Sequence, residues 1–222
     1  MKSKVPVTIE ESRQGEPLFE AYGLLLASVL LGNNGKPPGI VAVTAAKEGD
    51  GATTTALNLA LMMARTGRPT VLVDANLRGP MLHALLEIPQ SPGLAELLMG
   101  RADLKQAAVQ TRVPHLALIP AGQADVPAQA LLTRSGIGDL LAVMRSRFDL
   151  VVVDTPAVLR YSDALHVSRH VDGVLQVVSS RGASRRDQQE ARRLLDMVGA
   201  RVLGAVMTQA PLRGYARQRR AW

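Results

Sequence analysis

The residues with the clearest capacity for chemistry form the segment KEGDGATTT, residues 47–55. Gly49 and Gly51 allow the backbone to turn tightly and to direct N–H groups at an anion, and the helix that follows adds its dipole. Thr53 stands where a phosphate-binding loop places a hydroxyl group for Mg²⁺. The segment therefore predicts a phosphate-binding loop. The candidate nucleotide-binding residues are Lys47, Gly49, Asp50, Gly51, Ala52, Thr53 and Thr54.

This loop departs from the P-loop pattern G-x-x-x-x-G-K-[ST], because Ala52 follows Gly51 where the pattern requires lysine. That lysine holds the β- and γ-phosphate oxygens. Loss of one group that stabilises developing charge costs about 10²–10³ in rate, or roughly 3–4 kcal/mol. Backbone N–H groups and Thr53 remain as anion ligands. The sequence therefore predicts a loop that keeps its shape and weak binding but has lost most of its catalysis.

Two aspartates follow apolar runs downstream of this loop, Asp74 after residues 71–73 and Asp154 after residues 150–153. A single carboxylate at a strand end is often only a helix cap. Two in succession behind a glycine-rich loop indicate a Mg²⁺–nucleotide site. We therefore identify Asp74 and Asp154 as residual catalytic residues and, together with Thr53, as candidate Mg²⁺ ligands.

The elements that must position these residues alternate between apolar runs and helical stretches. Continuous apolar runs are typical of strands that are covered on both faces. Their alternation with helices predicts an α/β fold with a mainly parallel sheet and helices on both faces, in which ligands bind at the carboxyl ends of the strands. The predicted strands are 39–45, 69–75, 115–121, 149–155, 172–180 and 200–208, and the predicted helices are 18–31, 53–66, 79–87, 93–100, 127–145, 161–169 and 184–198.

The composition is that of a globular protein, with 47% hydrophobic and 20% charged residues. The chain contains no cysteine, which excludes disulfides and thiolate metal sites and fits a cytoplasmic protein. Its first residues have no apolar segment typical of a signal peptide, and the apolar run 21–35 is shorter than the ~20 residues of a bilayer span. We expect a flexible N-terminal arm (1–16), one domain (17–210) and a basic tail (211–222).

The net charge of +7 is carried mainly by arginines in residues 179–193 and 211–222. Such a surface suits nucleic acid, anionic lipid or an acidic partner. A solvated helix face followed by a tail explains the same pattern. The charge alone therefore does not select a function.

Taken together, the motifs resemble those of the bacterial tyrosine kinases (BY-kinases), a branch of the ParA/MinD-like P-loop ATPases that is encoded with capsule and exopolysaccharide export systems. The resemblance extends over about residues 17–210. The family patterns are E-A-Y-R-x-L-R, G-E-G-K-[ST]-T…L-L-I-D-A-D-L-R-R-P-x-x-H and F-D-x-V-I-I-D-T-P-P…D-A, followed by two final strands. The corresponding segments here are 19–29, 49–83, 148–164, 171–187 and 199–209.

Three departures from this pattern affect phosphate binding, catalysis and assembly. Ala52 replaces the Walker A lysine, and Asn76 replaces the second aspartate of the Walker A′ motif. The oligomer motif E-x-x-R-x-x-R retains Glu20, but Gly23 and Leu26 replace its arginines. The resemblance therefore implies that the family's ring is not built, and a homodimer remains an alternative.

Two further departures affect base recognition and the phosphate acceptor. Thr208 replaces the asparagine that reads adenine in relatives. The C-terminal tyrosine cluster is reduced to Tyr215, which is the possible phospho-acceptor. The five departures together indicate release from catalytic constraint, so we expect binding of ATP and Mg²⁺ to be weak or lost.

The resemblance implies a weakly active BY-kinase or pseudokinase of exopolysaccharide, capsule or holdfast-type export. Its expected partner is the cytoplasmic tail of a membrane polysaccharide co-polymerase, or chain-length determinant, which would recruit it to the inner membrane. Helix 18–31 is a candidate contact surface as well as a candidate core helix, and Leu25 and Val29 lie four residues apart on one of its faces. No specific nucleic acid is expected.

Two alternatives remain open. The first is an active ATPase or tyrosine autokinase that uses Lys47. This residue lies where ParA/MinD relatives keep a signature lysine that reaches the phosphates across a dimer. A ParA/MinD-like positioning ATPase is the other, with helix 184–198 and the tail binding DNA or membrane. The segment 77–80 and the pair Asp163-Ala164 favour the kinase branch.

Overall fold

The structure is a computed structural model that describes residues 16–31, 37–133 and 136–210. In these residues a seven-stranded sheet runs in the order β3-β4-β2-β5-β1-β6-β7. All neighbouring strands are parallel except β3, which is antiparallel to β4. The strands are β1 (Ile40–Ala45), β2 (Thr70–Asp74), β3 (Val109–Gln110), β4 (Leu116–Ile119), β5 (Leu150–Asp154), β6 (Gly173–Ser179) and β7 (Val202–Thr208).

Helices cover both faces of the sheet. Successive side chains of a strand point to opposite faces, and the central strands are apolar at both sets of positions. Ala42, Val71 and Val151 belong to one hydrophobic core, whereas Val41, Leu72 and Val152 belong to the other. The helices are α1 (Pro17–Leu31), α2 (Ala52–Ala64), α3 (Leu82–Leu85), α4 (Leu94–Leu98), α5 (Leu104–Ala107), α6 (Ala128–Thr133), α7 (Gly136–Arg145), α8 (Asp163–Ser168) and α9 (Arg185–Met197).

The α/β class, the parallel sheet and the six main strands predicted from the sequence are confirmed. Three details of the secondary structure differ from the prediction. The predicted helix 127–145 comprises α6 and α7, with residues 134–135 outside the described part. The predicted helix 79–87 is only α3, because residues 75–81 form a loop that is anchored to the end of β2. The short α5 and β3 were missed, since neither is long enough to show a hydrophobic period.

Helix α1 packs on α2 and completes one of the two cores. Tyr22, Leu26 and Val29 are buried in that core, and Leu25 packs against it. The solvent side carries Leu24 and Leu31, which are 61% and 74% exposed. The prediction that Leu25 and Val29 form an exposed contact surface is therefore wrong, because both side chains point towards the core.

No helix within the described residues is long and apolar enough to cross a membrane. Residues 1–15 and 211–222, which include most of the predicted arm, the tail and Tyr215, lie outside the described residues.

Candidate functional site

The loop between β1 and α2 has the backbone geometry of an anion-binding turn. Gly49 has φ 84° and Gly51 has φ 101°, both in the left-handed region that favours glycine. Gly51 caps the N-terminus of α2, and its carbonyl accepts the Thr55 N–H at 3.0 Å. The first N–H groups of a helix have no partner within the helix. The start of α2 therefore offers donors to an anion, as the sequence predicted.

A cavity of about 450 Å³ opens in front of this loop, at the carboxyl ends of the strands. It is walled by the loop itself, by the β2–α3 loop and by the β5–α8 loop. Each predicted nucleotide-binding residue except Asp50 lines it. The lining residues are Ala45, Lys47, Glu48, Gly49, Gly51, Ala52, Thr53, Thr54, Asn76, Arg78, Gly79, Met81, Leu85, Thr155, Pro156, Ala157 and Tyr161.

Asp50 holds the loop in place from behind. Its carboxylate is buried and accepts the N–H groups of Lys47 and Ala183, each at 3.3 Å. A Cβ atom on Gly182 would lie 1.8 Å from Asp50 Oδ1, so glycine is needed at that approach. Asp50 therefore ties the loop to the segment between β6 and α9 rather than facing the cavity.

The end of β7 braces the loop from the same side. Thr208 Oγ1 donates to the Asp50 carbonyl at 2.6 Å, and Gln209 Nε2 donates to the Gly49 carbonyl at 3.2 Å. A Cβ on Gly51 would lie 3.3 Å from Thr208 Cγ2. The residue that stands in the place of the family's adenine-reading asparagine is thus engaged with the loop backbone.

Lys47 lines the cavity, but its ammonium group is directed away to α9. Its Nζ lies 2.7 Å from Asp187 Oδ2. Asp187 also accepts from the backbone N–H and the hydroxyl of Ser184 in a capping box. These contacts hold the pKa of Asp187 down at about 2, mainly through the hydrogen bond from Lys47. In this conformation Lys47 does not fill the place of the missing lysine.

Asp74 and Asp154 lie side by side at the tips of neighbouring strands. They are register partners in the pairing of β2 with β5, and both are buried. Asp74 accepts the N–H groups of Asn76 and Leu82, each at 3.2 Å. Asp154 accepts a hydrogen bond from the Thr53 hydroxyl. The structure thus brings together the three predicted Mg²⁺ ligands.

Burial makes ionisation of this pair unfavourable. Desolvation raises the pKa of Asp74 from 3.8 to about 6, against the lowering effect of its backbone hydrogen bonds. Desolvation also raises the pKa of Asp154 well above its ordinary value, and the neighbouring charge of Asp74 raises it further. Strongly shifted carboxylates beside a cavity are characteristic of functional sites, because a buried charge without a counter-charge is costly.

The donor set fits Mg²⁺, which prefers hard oxygen ligands and keeps several waters and substrate phosphates. Asp154 Oδ1 is buried without a hydrogen-bond partner among the described residues. An unpartnered carboxylate oxygen beside a threonine hydroxyl is the arrangement that a cation would complete. Bound there, Mg²⁺ would neutralise charge on the phosphates of a nucleotide. Thr53 and Asp154 would hold the ion, with Asp74 as their buried neighbour.

The raised pKa values predict how stability depends on pH. Because the folded-state pKa of Asp74 lies near 6 and its ordinary value is 3.8, the folded protein retains a proton that the unfolded chain loses between these values. The free energy of unfolding should therefore fall as pH rises through this window, by a contribution on the order of 3 kcal/mol. Burial also raises the pKa of Asp154, which therefore adds to this fall, so Asp154→Asn should reduce the fall and make the metal-free protein more stable than wild type at pH 8.

Thermal unfolding between pH 4 and 8 without Mg²⁺ measures this effect. Asp196→Asn changes an exposed carboxylate on α9 and is the matched control for net charge. If Asp154→Asn destabilises the protein at pH 8 as much as at pH 4, the carboxylate has a structural role and the metal-site interpretation loses its main support.

A second cluster on the opposite wall of the cavity was missed by the sequence analysis. Arg78 donates to both oxygens of Asp163, from Nε at 2.6 Å and from Nη2 at 3.1 Å. Its guanidinium group stacks on the Tyr161 ring at 4.3 Å from the centroid. Asp163 is fully buried, and its hydrogen bond raises the pKa of Arg78. The sequence feature that pointed to this cluster was the Asp163-Ala164 pair. By itself this pair indicates the family, but it does not reveal which arginine Asp163 binds.

Asn76 stabilises the turn that carries Arg78. Its Nδ2 donates to the Gly79 carbonyl at 3.1 Å, and the Gly79 N–H returns a bond to the Asn76 carbonyl at 3.2 Å. The residue therefore lines the cavity with an amide where the resemblance leads one to expect a carboxylate. Glu20 lies in the first turn of α1, half-buried, on a different element from those that form the cavity.

The parallel sheet, the glycine turn at the start of α2 and the paired strand-end aspartates define a P-loop NTPase of the deviant Walker A type. The AAA domain family matches residues 39–177. The chain is 30% identical to the tyrosine-protein kinase YwqD of Bacillus subtilis over 167 residues, which cover 75% of this chain and 70% of that protein. The chain therefore belongs to the bacterial tyrosine kinase family.

Solved structures agree with this assignment. The kinase domain of the Escherichia coli tyrosine kinase ETK superposes with a TM-score of 0.79 at 27% identity, covering 87% of this chain and 77% of that one. The cell division ATPase MinD of Pyrococcus furiosus gives a TM-score of 0.66 at 24% identity, covering 76% and 70% of the two chains, and shows the shared fold. The predicted family and fold class are confirmed.

Proposed function

We propose that this chain is a weakly active BY-kinase or pseudokinase of exopolysaccharide, capsule or holdfast-type biosynthesis and export. It acts in the cytoplasm as the partner of a membrane chain-length determinant, which recruits it to the inner membrane. The observation that carries the proposal is a cavity of about 450 Å³ in front of the glycine-rich loop, with Ala52 at the position where the family resemblance expects the catalytic lysine. The domain that does this work is residues 17–210.

The case for weak chemistry follows from the groups that remain. The N-terminus of α2, the Thr53 hydroxyl and the Asp74–Asp154 pair can still bind a Mg²⁺–nucleotide. No cation follows Gly51, and Lys47 is bound to Asp187. Electrostatic stabilisation of developing charge usually contributes more to catalysis than any other single effect. The protein can therefore retain weak nucleotide binding after it has lost efficient phosphoryl transfer.

The case for partner docking rests on the outer side of α1. Leu24, Ala27, Ser28 and Leu31 are exposed there and recur at intervals of three and four residues, as a stripe along one helix face. Leu26, which replaces an arginine of the oligomer motif, is buried in the core instead. The helix is therefore intact as a scaffold but lacks the charged groups of the family's ring contact. We propose that this stripe is where the co-polymerase tail docks.

The arginines of α9 favour this proposal over a DNA-positioning role. Arg192 pairs with Asp196 at 2.8 Å, and Arg193 pairs with Glu190 at 2.7 Å. These acidic partners on the same helix reduce the charge that α9 presents to a polyanion. A helix that pairs two of its four arginines with its own carboxylates fits the solvated-face interpretation better than a phosphate-binding stripe.

The purified chain tests the proposal directly. Incubation with Mg·ATP should leave at most a trace of tyrosine phosphate detectable by mass spectrometry, because the transition-state charge lacks its lysine. Asp154→Asn is the matched variant. If tyrosine phosphate accumulates in the wild-type protein and is lost in Asp154→Asn, the active autokinase alternative is correct, and modification of Tyr215 would identify the acceptor.

A further inference from the structure

We propose that Arg78 supplies the positive charge that Ala52 removes, as the cationic side chain that binds the phosphate chain of a nucleotide in this cavity. This inference rests on the proposed function, because it names a ligand-binding group of the same site. It adds a cation from the β2–α3 loop to the N–H donors that the first turn of α2 offers.

Arg78 is the better placed of the cations that line the cavity. Among the residues that the structure describes, the cavity is lined by two cationic side chains, Lys47 and Arg78. The side chain of Lys47 is 54% exposed and is paired with Asp187 on α9, outside the cavity lining. The side chain of Arg78 is 32% exposed and is paired with Asp163, which is fully buried. Arg78 is thus the more firmly positioned cation on the wall of the cavity.

Arg78 retains hydrogen-bond donors that Asp163 does not use. An arginine presents five N–H donors in a planar fork. Asp163 accepts from Nε and from one N–H of Nη2. The two N–H groups of Nη1 and the second N–H of Nη2 are not engaged by Asp163. A planar pair of donors matches the geometry of phosphate oxygens, which arginine binds in bidentate fashion.

The guanidinium group of Arg78 is held in one orientation before any ligand arrives. The Tyr161 ring, which also lines the cavity, covers one of its faces at 4.3 Å. The carboxylate of Asp163 holds its edge, and the Asn76–Gly79 hydrogen bonds hold the turn that carries it. A preorganised donor loses less conformational entropy on binding than a free lysine does.

The ion pair between Arg78 and Asp163 allows a phosphate-binding role of Arg78 to be distinguished from a purely structural role. If Arg78 binds the anion, Asp163 opposes that binding by neutralising part of its charge. Arg78→Gln should then weaken binding of Mg·ATP by about tenfold, the value of one charge-assisted hydrogen bond. Asp163→Asn should strengthen it. If the pair is only a structural brace, both substitutions break the same contact and both weaken binding.

Calorimetric titration with Mg·ATP, Mg·ADP and AMP measures the effect, which should be larger for the two polyphosphates than for AMP. Arg78→Gln leaves a buried carboxylate without its partner, so the Arg78→Gln/Asp163→Asn double variant is included as a folded control and should bind as weakly as Arg78→Gln. Arg145→Gln and Asp172→Asn are the controls for net charge. They break a similar ion pair beside the start of β1, at the amino ends of the strands and away from the cavity.

Opposite effects of Arg78→Gln and Asp163→Asn, with no change in the Arg145 and Asp172 controls, support the inference. Equal weakening by both substitutions, or no change in either, overturns it while the proposed function stands. Absence of any binding by the wild-type chain overturns both this inference and the nucleotide-binding part of the proposed function, and leaves the docking role to be tested in cells.

Discussion

Ala52→Lys is expected to raise the affinity of the protein for Mg·ATP by about tenfold to a hundredfold. Ala52 is the first residue of α2 and lines the cavity, so a lysine at this position projects its ammonium group towards the phosphates. A hydrogen bond to a charged group contributes about 1.5–3 kcal/mol, which corresponds to that range of affinity. We expect the remainder of the loop to keep its conformation, because Gly49 and Gly51 already have the left-handed backbone angles of a tight glycine turn.

The same substitution should slightly destabilise the protein without ligand. A cation at a helix N-terminus opposes the helix dipole, at a cost of about 0.3–1 kcal/mol. If the affinity for Mg·ATP rises while the free energy of unfolding falls, the rise in affinity comes from contact with the ligand and not from general stabilisation of the protein. Calorimetry with Mg·ATP and chemical denaturation without it measure the two quantities.

Ala52→Gln is the matched control, because it adds a side chain of comparable reach without a charge. Its affinity should remain near that of wild type. If Ala52→Lys and wild type bind Mg·ATP equally tightly, the missing lysine is not what limits binding, and the degenerate loop has been compensated completely.

Recovery of phosphoryl transfer is a more demanding outcome than recovery of binding. Asn76 occupies the position of a family carboxylate, and its amide now holds the turn at Gly79. Ala52→Lys alone should therefore improve binding more than turnover. This separation follows because only groups that act more strongly in the transition state than in the ground state accelerate the reaction.

The sequence was sufficient to predict the sheet and the proximity of the two candidate-site aspartates. Runs such as residues 150–153 are apolar at every position because helices cover both faces of β5, and this local pattern indicates a buried parallel strand. The aspartates Asp74 and Asp154 end such runs, and the topology of a parallel sheet brings strand ends to one edge. Their proximity therefore followed from local patterns and the topology of the fold class.

The remaining features of the site depend on side chains that meet only in the folded protein. Lys47 and Asp187 are 140 residues apart, and Arg78 and Asp163 are 85 residues apart. No local period links such pairs, and the direction of a long side chain depends on which partner the fold brings within reach. The burial of Asp50 could not be predicted for the same reason.

Helix α1 shows how the lack of a clear polar face limits prediction. Its sequence is apolar on nearly every side, so the pattern could not distinguish the buried face from the exposed one. Packing against α2 buries Val29 and leaves Leu24 and Leu31 in solvent. The structure therefore moves the test of docking from Leu25 and Val29 to Leu24 and Leu31.

Substitution of Leu24 and Leu31 by glutamate is expected to abolish polysaccharide output in cells, whereas Asp154→Asn should leave it nearly unchanged. The two leucines are seven residues apart on the exposed face of α1 and contribute little to the core. A charge on each would remain solvated in the free protein but would be costly to bury against a partner. Under the proposed function, Asp154 belongs to a catalytic set that Ala52 and Asn76 already interrupt, so its loss should remove little further function.

Glutamate at Val143 and Met197, which are 44% and 66% exposed on α7 and α9, is the matched control for added charge on an apolar surface. These variants should support normal output, and immunoblotting should show equal amounts of every variant. If output persists in the Leu24/Leu31 variant at normal protein levels, this face of α1 is not the docking surface. If Asp154→Asn alone eliminates output while protein levels hold, phosphoryl transfer is required and the active-kinase alternative replaces the scaffold proposal.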